Sequence, residues 1–548
     1  GLLGGDTYTT NVDVADGATL LLTTQSTTKV YQARAATAFR PTQTSTTMRV
    51  GSGALAVLAP ECTVPFRDSL LENTLTVDLT SADASAVVVD AISAGRVAGG
   101  ERWQLGGLSQ RAVYTRQTAP SRKPRQILDL ALDLRRGDAP RMLDFAGTPH
   151  DAFATVVAVG PRAAGVTAQA EAMRDAILAG VRQNRGGAAA RSASPTCVGL
   201  SVARLREGEA VSPTTTKAGG GECDSKTVGD AVIRVVAQQP EQLYCTLREL
   251  LAPLDVALGM APYSTHGLFQ LQATSSGPPP ANVGRFITDT DPGSDGHAAV
   301  EADSEPVSSR ALWRLAQLTD ATLPTGGFAH SAGLEAAAQF GYLPTTRSVE
   351  DFVVAALQHS ARMIVPFVAA AQRLHRATTA ADDGGGGAAA AAAAAEAFAA
   401  ADWALDCKLR ASPIARHASL EQGASLRRLL QSWGTDGTAQ EHLRGGPGHL
   451  ALMFGAAAAG FGVSALHAAE AFQYTLARDV VASAVRMNLI GPTLGVQLLD
   501  RAYQHTGVSR DVAAAPVDQL VARAAACDAL IDMVQANHDR LYSRLFRS

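Results

Sequence analysis

The sequence predicts a multidomain chain, with a mainly-β unit over about residues 1–255, a flexible linker over about 256–308 and an all-α unit over about 309–548. Three observations carry this. The 548 residues exceed what one core organises, because single hydrophobic cores stop growing near roughly 250–300 residues. The apolar pattern changes from short alternating runs to spacings of three and four after Arg310. Between the two textures lies a stretch dominated by Gly, Pro, Ser, Asp and Ala, including Gly277-Pro278-Pro279-Pro280, which reads as an interdomain tether.

In the front unit, residues 18–24, 75–79, 86–90 and 153–159 are short runs rich in Val, Leu, Thr and Phe, separated by Gly, Asp and Ser. Such runs with turn signals between them predict a β-sandwich or stacked sheets. Ala172, Ala176, Leu178 and Ala179 fall on one face of a helix predicted from Ala168 to about Gln183. Residues 186–226 read as a mobile insertion, after which 228–236 restores a strand and 240–254 a closing helix. The opening residues point to a unit that begins mid-domain.

In the back unit, Val349, Phe352, Val353, Ala356, Leu357, Met363, Phe367 and Leu374 predict a long amphipathic helix kinked at Pro366, whose ring cannot continue the hydrogen-bond ladder. Val463 to Met487 and Val517 to Leu545 carry the same period, the latter opened by Pro516. Asp382 to Gly387 and the alanines that follow read as a disordered insertion running into a helix.

Composition excludes several function classes. A balance of 47 basic and 51 acidic residues gives a formal net charge of −4, which offers no broad surface for nucleic acid. The six cysteines are far apart and form no C-x-x-C pair, so neither a disulfide framework nor a zinc knuckle is expected. The 12 histidines are scattered, which argues against a tight metal site. No long uninterrupted apolar run is present, so no membrane association is expected and a cytoplasmic location is. No G-x-x-x-x-G-K-[ST] phosphate loop occurs.

The sharpest segment is Leu323-Pro324-Thr325-Gly326-Gly327-Phe328-Ala329-His330-Ser331-Ala332-Gly333-Leu334-Glu335. On its own it is a tight turn with Ser331 capping a helix that begins near Gly333. A nucleophile elbow built on Ser331 and His330 is a poor reading, since Ala329 replaces the first glycine and no strand precedes it. The string resembles the opening signature of the urease accessory protein family UreF. Residues 412–423, His449, Phe454-Gly455, Ser483 to Arg486 with Ile490-Gly491-Pro492, and Arg540 to Ser548 are similar to that family in order. Gly1 to Asp6, then Leu21 to Tyr31 with Thr24 and Lys29, then Gly95-Arg96-Val97-Ala98-Gly99-Gly100-Glu101-Arg102-Trp103 resemble a second family, UreD (also called UreH).

The double resemblance implies a non-enzymatic chaperone for nickel insertion. It would recruit a separate nickel-carrying GTPase of the UreG type, dock on urease apoprotein and self-associate through the UreF-like half. Nickel would be a transient cargo, with no tightly bound cofactor. An alternative is a regulator of that GTPase which never handles metal. Cargo must be held loosely, by a few carboxylates and hydrated groups, and Asp90 and Glu101 are the candidates, although Glu101 could simply pair with Arg96 or Arg102. Pro324, Gly326, Gly327, Phe328, His330, Ser331 and Glu335 are candidate partner-binding residues. So are Arg540, Arg544 and Arg547, whose spacing of four and three places them on one face of a helix end.

Overall fold

A computed structural model describes residues 1–33, 40–118, 123–135, 150–184, 198–205, 229–263, 308–383, 387–433, 445–506, 512 and 515–548. In the front half the chain winds between two stacked sheets. β1 (Thr7–Val14) lies in the first sheet; β2 (Thr19–Leu22) and β3 (Thr28–Val30) lie in the second. β4 (Thr42–Val50) returns to the first sheet, β5 (Leu55–Leu58) and β6 (Thr63–Pro65) to the second, then β7 (Leu70–Leu79), β8 (Ser85–Ser93) and β9 (Gly107–Arg116) alternate again. Each circuit therefore adds a parallel strand, and β1, β4, β7 and β9 pair in parallel, with Thr10, Thr46, Leu75 and Ala112 in one row. Parallel pairs need a long crossover, usually a helix; here the strands of the facing sheet supply it.

The winding ends with β10 (Arg125–Arg135), antiparallel to β9, and with β11 (Ala152–Val159), β12 (Val198–Arg204) and β13 (Ala231–Ala237), which extend the second sheet antiparallel in the order β8-β11-β13-β12. Helix α1 (Ala164–Asn184) and α2 (Pro240–Leu251) cover the outer face, against Val87, Val89 and Ala91 of β8. The predicted strands and both helices are present. Residues 186–226 are not insertion throughout, since β12 lies within them and is held by pairing along its length with β13. A short α3 (Asp255–Leu258) follows, and Tyr263 still packs on this half, its hydroxyl donating to the Pro60 carbonyl at 2.8 Å. Nearly all of the expected linker, 264–307, lies outside the described residues.

The back half is helical: α4 (Ser309–Leu318), α5 (Leu334–Gln339), α6 (Thr346–Met363), α7 (Val365–Asp383), α8 (Gly387–Leu409), α9 (Pro413–Ser432), α10 (Leu450–Gly460), α11 (Ala465–Arg486), α12 (Pro492–Ala502), α13 (Val517–Arg523) and α14 (Ala529–Ala536). The predicted kink is a bend of 42° between α6 and α7. Pro366 has no N–H for the Arg362 carbonyl, and that carbonyl instead accepts the Ala525 amide at 3.2 Å. α7 and α10 approach closely, because a Cβ on Gly455 would sit 2.2 Å from the Val368 carbonyl oxygen.

Two expectations are corrected here. The alanines after Gly387 form the first half of α8 rather than a disordered insertion, in keeping with the high helix propensity of alanine. The helix expected from Val517 to Leu545 is two short ones. Between them Ala526 pairs with Leu132 at the free edge of β10, and Asp528 then caps α14 by accepting the Leu530 and Ile531 amides at 2.8 and 3.0 Å. Satisfying a sheet edge outweighs continuing the helix. Among the described residues no single helix is long and apolar enough to cross a membrane; α6 with part of α7 passes together by composition, but both are packed in the core.

The halves share a core. Trp103, Phe153 and Val236 of the β half cluster with Val349, Phe352, Leu530, Ile531 and Val534 of the helical half. Leu530, Ile531, Met533 and Val534 are at most 1% exposed, and each such side chain contributes roughly 1.5–3 kcal/mol when fully buried.

Candidate functional site

Strand alternation decides what faces the space between the two sheets. On β8, Val87, Val89 and Ala91 face the outer helices, which turns Val88, Asp90 and Ile92 inward. Register then aligns Asp90 with Thr155 of β11, and Thr155 with Arg234 of β13. Opposite them, Thr44, Asn73 and Gln110 occupy one row of the first sheet. Gln110 donates to Asp90 at 3.1 Å, and Thr44 to Asn73 at 2.8 Å. A polar seam thus runs inside an otherwise apolar sandwich.

The seam opens into a cavity of about 550 Å³ that continues into the helical half, where His330, His359, Lys408, Ser412, Asp479 and Asp532 line it. Burial pushes the Asp90 carboxyl up to about 6, with the Gln110 amide opposing. Asp90 keeps a small face open to the cavity, deep though it lies. Burial also raises the Asp479 carboxyl, against the pull of Arg478, and lowers the imidazoles of His330 and His359.

At the junction of the halves, charged side chains reach across. Arg234 binds Asp532 at 3.2 Å and donates to the Ala411 carbonyl at 2.6 Å. Lys408 of α8 reaches Asp129 of β10 at 3.2 Å, beside Arg111, which grips the same carboxylate at 2.9 and 3.1 Å. Arg362 and Arg410 donate to the Asp133 and Ile127 carbonyls at 3.0 and 3.1 Å, and Asn537 to the Leu200 carbonyl at 2.9 Å.

The Pro324 to Glu335 segment forms a clamp. Pro324 and Phe328 are exposed, Gly326 (φ 83°) starts a 3₁₀ turn, and buried Gly327 lines the cavity beside Asp479. Buried Glu335 accepts the Leu545 and Phe546 amides at 2.7 and 3.1 Å and contacts the His538 ring at 3.1 Å. Ser331 donates to the Ser548 carbonyl at 2.9 Å and accepts the Glu335 amide at 3.4 Å, while His330 Nδ1 meets the Ser548 hydroxyl at 2.6 Å. His330 and Ser331 are therefore each engaged with Ser548 rather than with one another as base and nucleophile. Residues 541–548 are not helical, so Arg540, Arg544 and Arg547 do not share a helix face as expected. All three are exposed, as are Phe328, Tyr542 and Leu545; Arg540 pairs with Asp539 at 3.4 Å and Arg547 lies 3.8 Å from Glu421.

The Gly95 to Trp103 string folds as a clasp. Gly95 adopts φ 100°, and a Cβ there would meet the Pro65 carbonyl oxygen at 2.7 Å. Arg96 pairs with Glu101 and stacks on Phe66 at 4.3 Å, Arg102 pairs with Asp151, and the Trp103 indole donates to the His150 carbonyl at 3.0 Å. Gly99 lies in the 3₁₀ turn between. Glu101 is thus committed to its arginine and is not part of the cavity wall. Thr24 lines the cavity and accepts the Glu61 amide at 2.9 Å; Lys29 is exposed on β3.

Sequence reasoning missed Arg234, Asp532 and His359. A signal existed for two of them: Arg234 is the one charge in Ala-Val-Ile-Arg-Val-Val-Ala, and Asp532 the one charge in Ala-Leu-Ile-Asp-Met-Val-Gln-Ala. A lone charge in a buried apolar element needs a partner.

A wound β unit and a helical unit share one core and one polar cavity, and the helical unit clamps the tail. The comparisons name both units. The family model "UreD urease accessory protein" matches residues 1–263 and the model "UreF" matches 344–503. Urease accessory protein F of Oryza sativa subsp. indica is 30% identical over 247 residues, covering 44% of this chain and 86% of that protein. Urease accessory protein UreD of Anaeromyxobacter sp. (strain Fw109-5) is 34% identical over 216 residues, 38% of this chain and 68% of that protein. Urease accessory protein D of Arabidopsis thaliana is 28% identical over 269 residues, 48% and 83% respectively. The chain belongs to the urease accessory proteins, as a UreD family member joined to a UreF family member.

Proposed function

We propose that this chain is a cytoplasmic chaperone that receives nickel from a separate UreG-type GTPase and passes it to urease apoprotein. The observation that carries the reading is the cavity common to both halves, whose wall includes Asp90 of the β half and Asp479 and Asp532 of the helical half. A divalent ion in transit requires carboxylates that hold it weakly. Asp532 and Asp479 each share their charge with an arginine, and Asp90 is held partly protonated near neutral pH by burial. Each would bind a cation less tightly than a free, solvated cluster of carboxylates.

The clamped segment supports a partner surface. Glu335, Ser331 and His330 fix the backbone of 545–548, and Arg540, Arg544, Arg547, Phe328 and Leu545 are exposed on or beside it, with Arg547 3.8 Å from Glu421 and Arg540 3.4 Å from Asp539. Such exposed arginines suit an acidic protein surface, because arginine forks bind carboxylates bidentately. Val496 and Tyr503, two turns apart and exposed, support self-association through the helical half.

The test is reconstitution. Apo-urease, the GTPase, GTP, bicarbonate and limiting nickel are combined with or without the full chain, and urease activity is followed. The proposal requires activation that depends on the chain and falls in Asp90→Asn and Asp479→Asn. Faster GTP hydrolysis with no effect on nickel delivery would instead identify a GTPase regulator.

A further inference from the structure

His359 of α6, Ser412 at the start of α9 and Asp532 of α14 converge on the cavity wall where the two halves meet. Asp532 Oδ1 lies 3.6 Å from His359 Nε2 and 3.4 Å from Ser412 Oγ, while Oδ2 is held by Arg234 at 3.2 Å. The imidazole to carboxylate separation is too long for a hydrogen bond. It is close to the spacing of two ligands on one metal ion, because bonds of about 2.0–2.2 Å set neighbouring ligands about 3–3.5 Å apart. The hydroxyl of Ser360, which is 4% exposed and also lines the cavity, is buried without a hydrogen-bond partner among the described residues; His359 Nδ1 is unpaired too, but it is the ring nitrogen turned away from Asp532. Buried polar atoms left in this state mark a place where another polar group belongs.

We propose that His359 and Asp532 form a transient seat for a divalent cation at the junction of the halves, with Arg234 as the competing cation that keeps the seat loose. The inference rests on the nickel-transfer reading for its cargo. Asp129, another carboxylate at the junction, is already paired with Arg111 and Lys408. Among the described residues no three His, Cys, Asp or Glu side chains converge as a metal site. A cation here would have one imidazole, one carboxylate and otherwise water or hydroxyl oxygens, a set that favours exchange over retention. From this seat the row of Arg234, Thr155 and Asp90 leads inward between the sheets.

The experiment titrates Ni²⁺ alone into the untagged full chain, read by calorimetry and by nickel-edge X-ray absorption. The expected result is a weak site with an imidazole signature. In His359→Ala its affinity falls about tenfold or more and the signature is lost, with the unfolding midpoint little changed. Asp532→Asn leaves Arg234 without its partner, so His359→Ala, which removes no ion pair to Arg234, is the deciding variant. Unchanged affinity and spectrum in His359→Ala would overturn the seat. Running the same variant in the reconstituted urease mixture separates the two ideas. Full activation by both proteins with equal nickel binding sinks the seat and leaves transfer standing, whereas failure of the unaltered chain to activate sinks transfer independently of the titration.

Discussion

Arg234, in the middle of β13, the last strand of the β half in chain order, and Asp532, in the short helix α14 of the helical half, form an ion pair at 3.2 Å with side chains 8% and 10% exposed. The pair ties residues far apart in sequence, and it sits on the wall of the cavity that both halves enclose. Its removal from one side leaves a buried charge uncompensated. We expect Arg234→Met to lower the stability of the full chain by about 3–5 kcal/mol, and Arg234→Met with Asp532→Leu to recover much of that loss. Denaturant unfolding of both variants measures it; equal stability of the single and double variants would mean that the pair does not couple the halves.

Glu335 holds the tail through two backbone amides and a histidine ring. In Glu335→Gln one acceptor oxygen becomes a donor that faces an amide, and each buried bond left unmade costs about 1–3 kcal/mol. The segment from Tyr542 onward should come free. Trypsin should then cut after Arg540 and Arg544 faster than in the unaltered chain, with little change in the rest of the digest. Unaltered cleavage rates there would show that Glu335 does not secure the tail.

The raised carboxyl of Asp90 makes stability depend on pH with a definite sign. The folded chain holds the Asp90 proton up to about pH 6, whereas the unfolded chain releases it near about 3.9. Between these values the folded state binds more protons, so this residue's contribution falls as pH rises through about 4 to 6 and its penalty is complete above that window. Asp90→Asn should therefore be more stable than the unaltered chain at pH 7 and no more stable at pH 4. Thermal midpoints across that range decide it, and a parallel offset at every pH would contradict the assignment.

Gly95 has φ 100°, and the Pro65 carbonyl oxygen lies 2.7 Å from where a Cβ would be. Gly95→Ala combines an unfavourable backbone conformation, of order 1–3 kcal/mol, with a contact to rigid backbone. The clasp of Arg96, Glu101, Arg102 and Trp103 should loosen, seen as a lower unfolding midpoint and faster amide exchange around Trp103. Gly99→Ala, whose Cβ would meet only the Arg96 side chain at 3.8 Å, should be nearly neutral and serves as the control.

Period and propensity in the sequence determined the order of units, five of the thirteen described strands of the β half, the kink next to Pro366 and the position of the tail signature, because these depend on neighbours within a few residues. Local pattern also misled: Val517 to Leu545 carries a helical period, yet Ala526 crosses to the open edge of β10, where a backbone pair with Leu132 is available. Tertiary structure alone decided the candidate site. Asp90 was visible as a carboxylate at the end of an apolar run, but its inward direction comes from strand alternation, and its alignment with Thr155 and Arg234 from the register of three strands. Glu101 looked equally suitable and is occupied by Arg96. The meeting of Arg234 with Asp532, and of Glu335 with Leu545 and Phe546, joins positions 298 and about 210 apart. No periodic signal spans such distances, since such contacts are set by how whole sheets and helices pack.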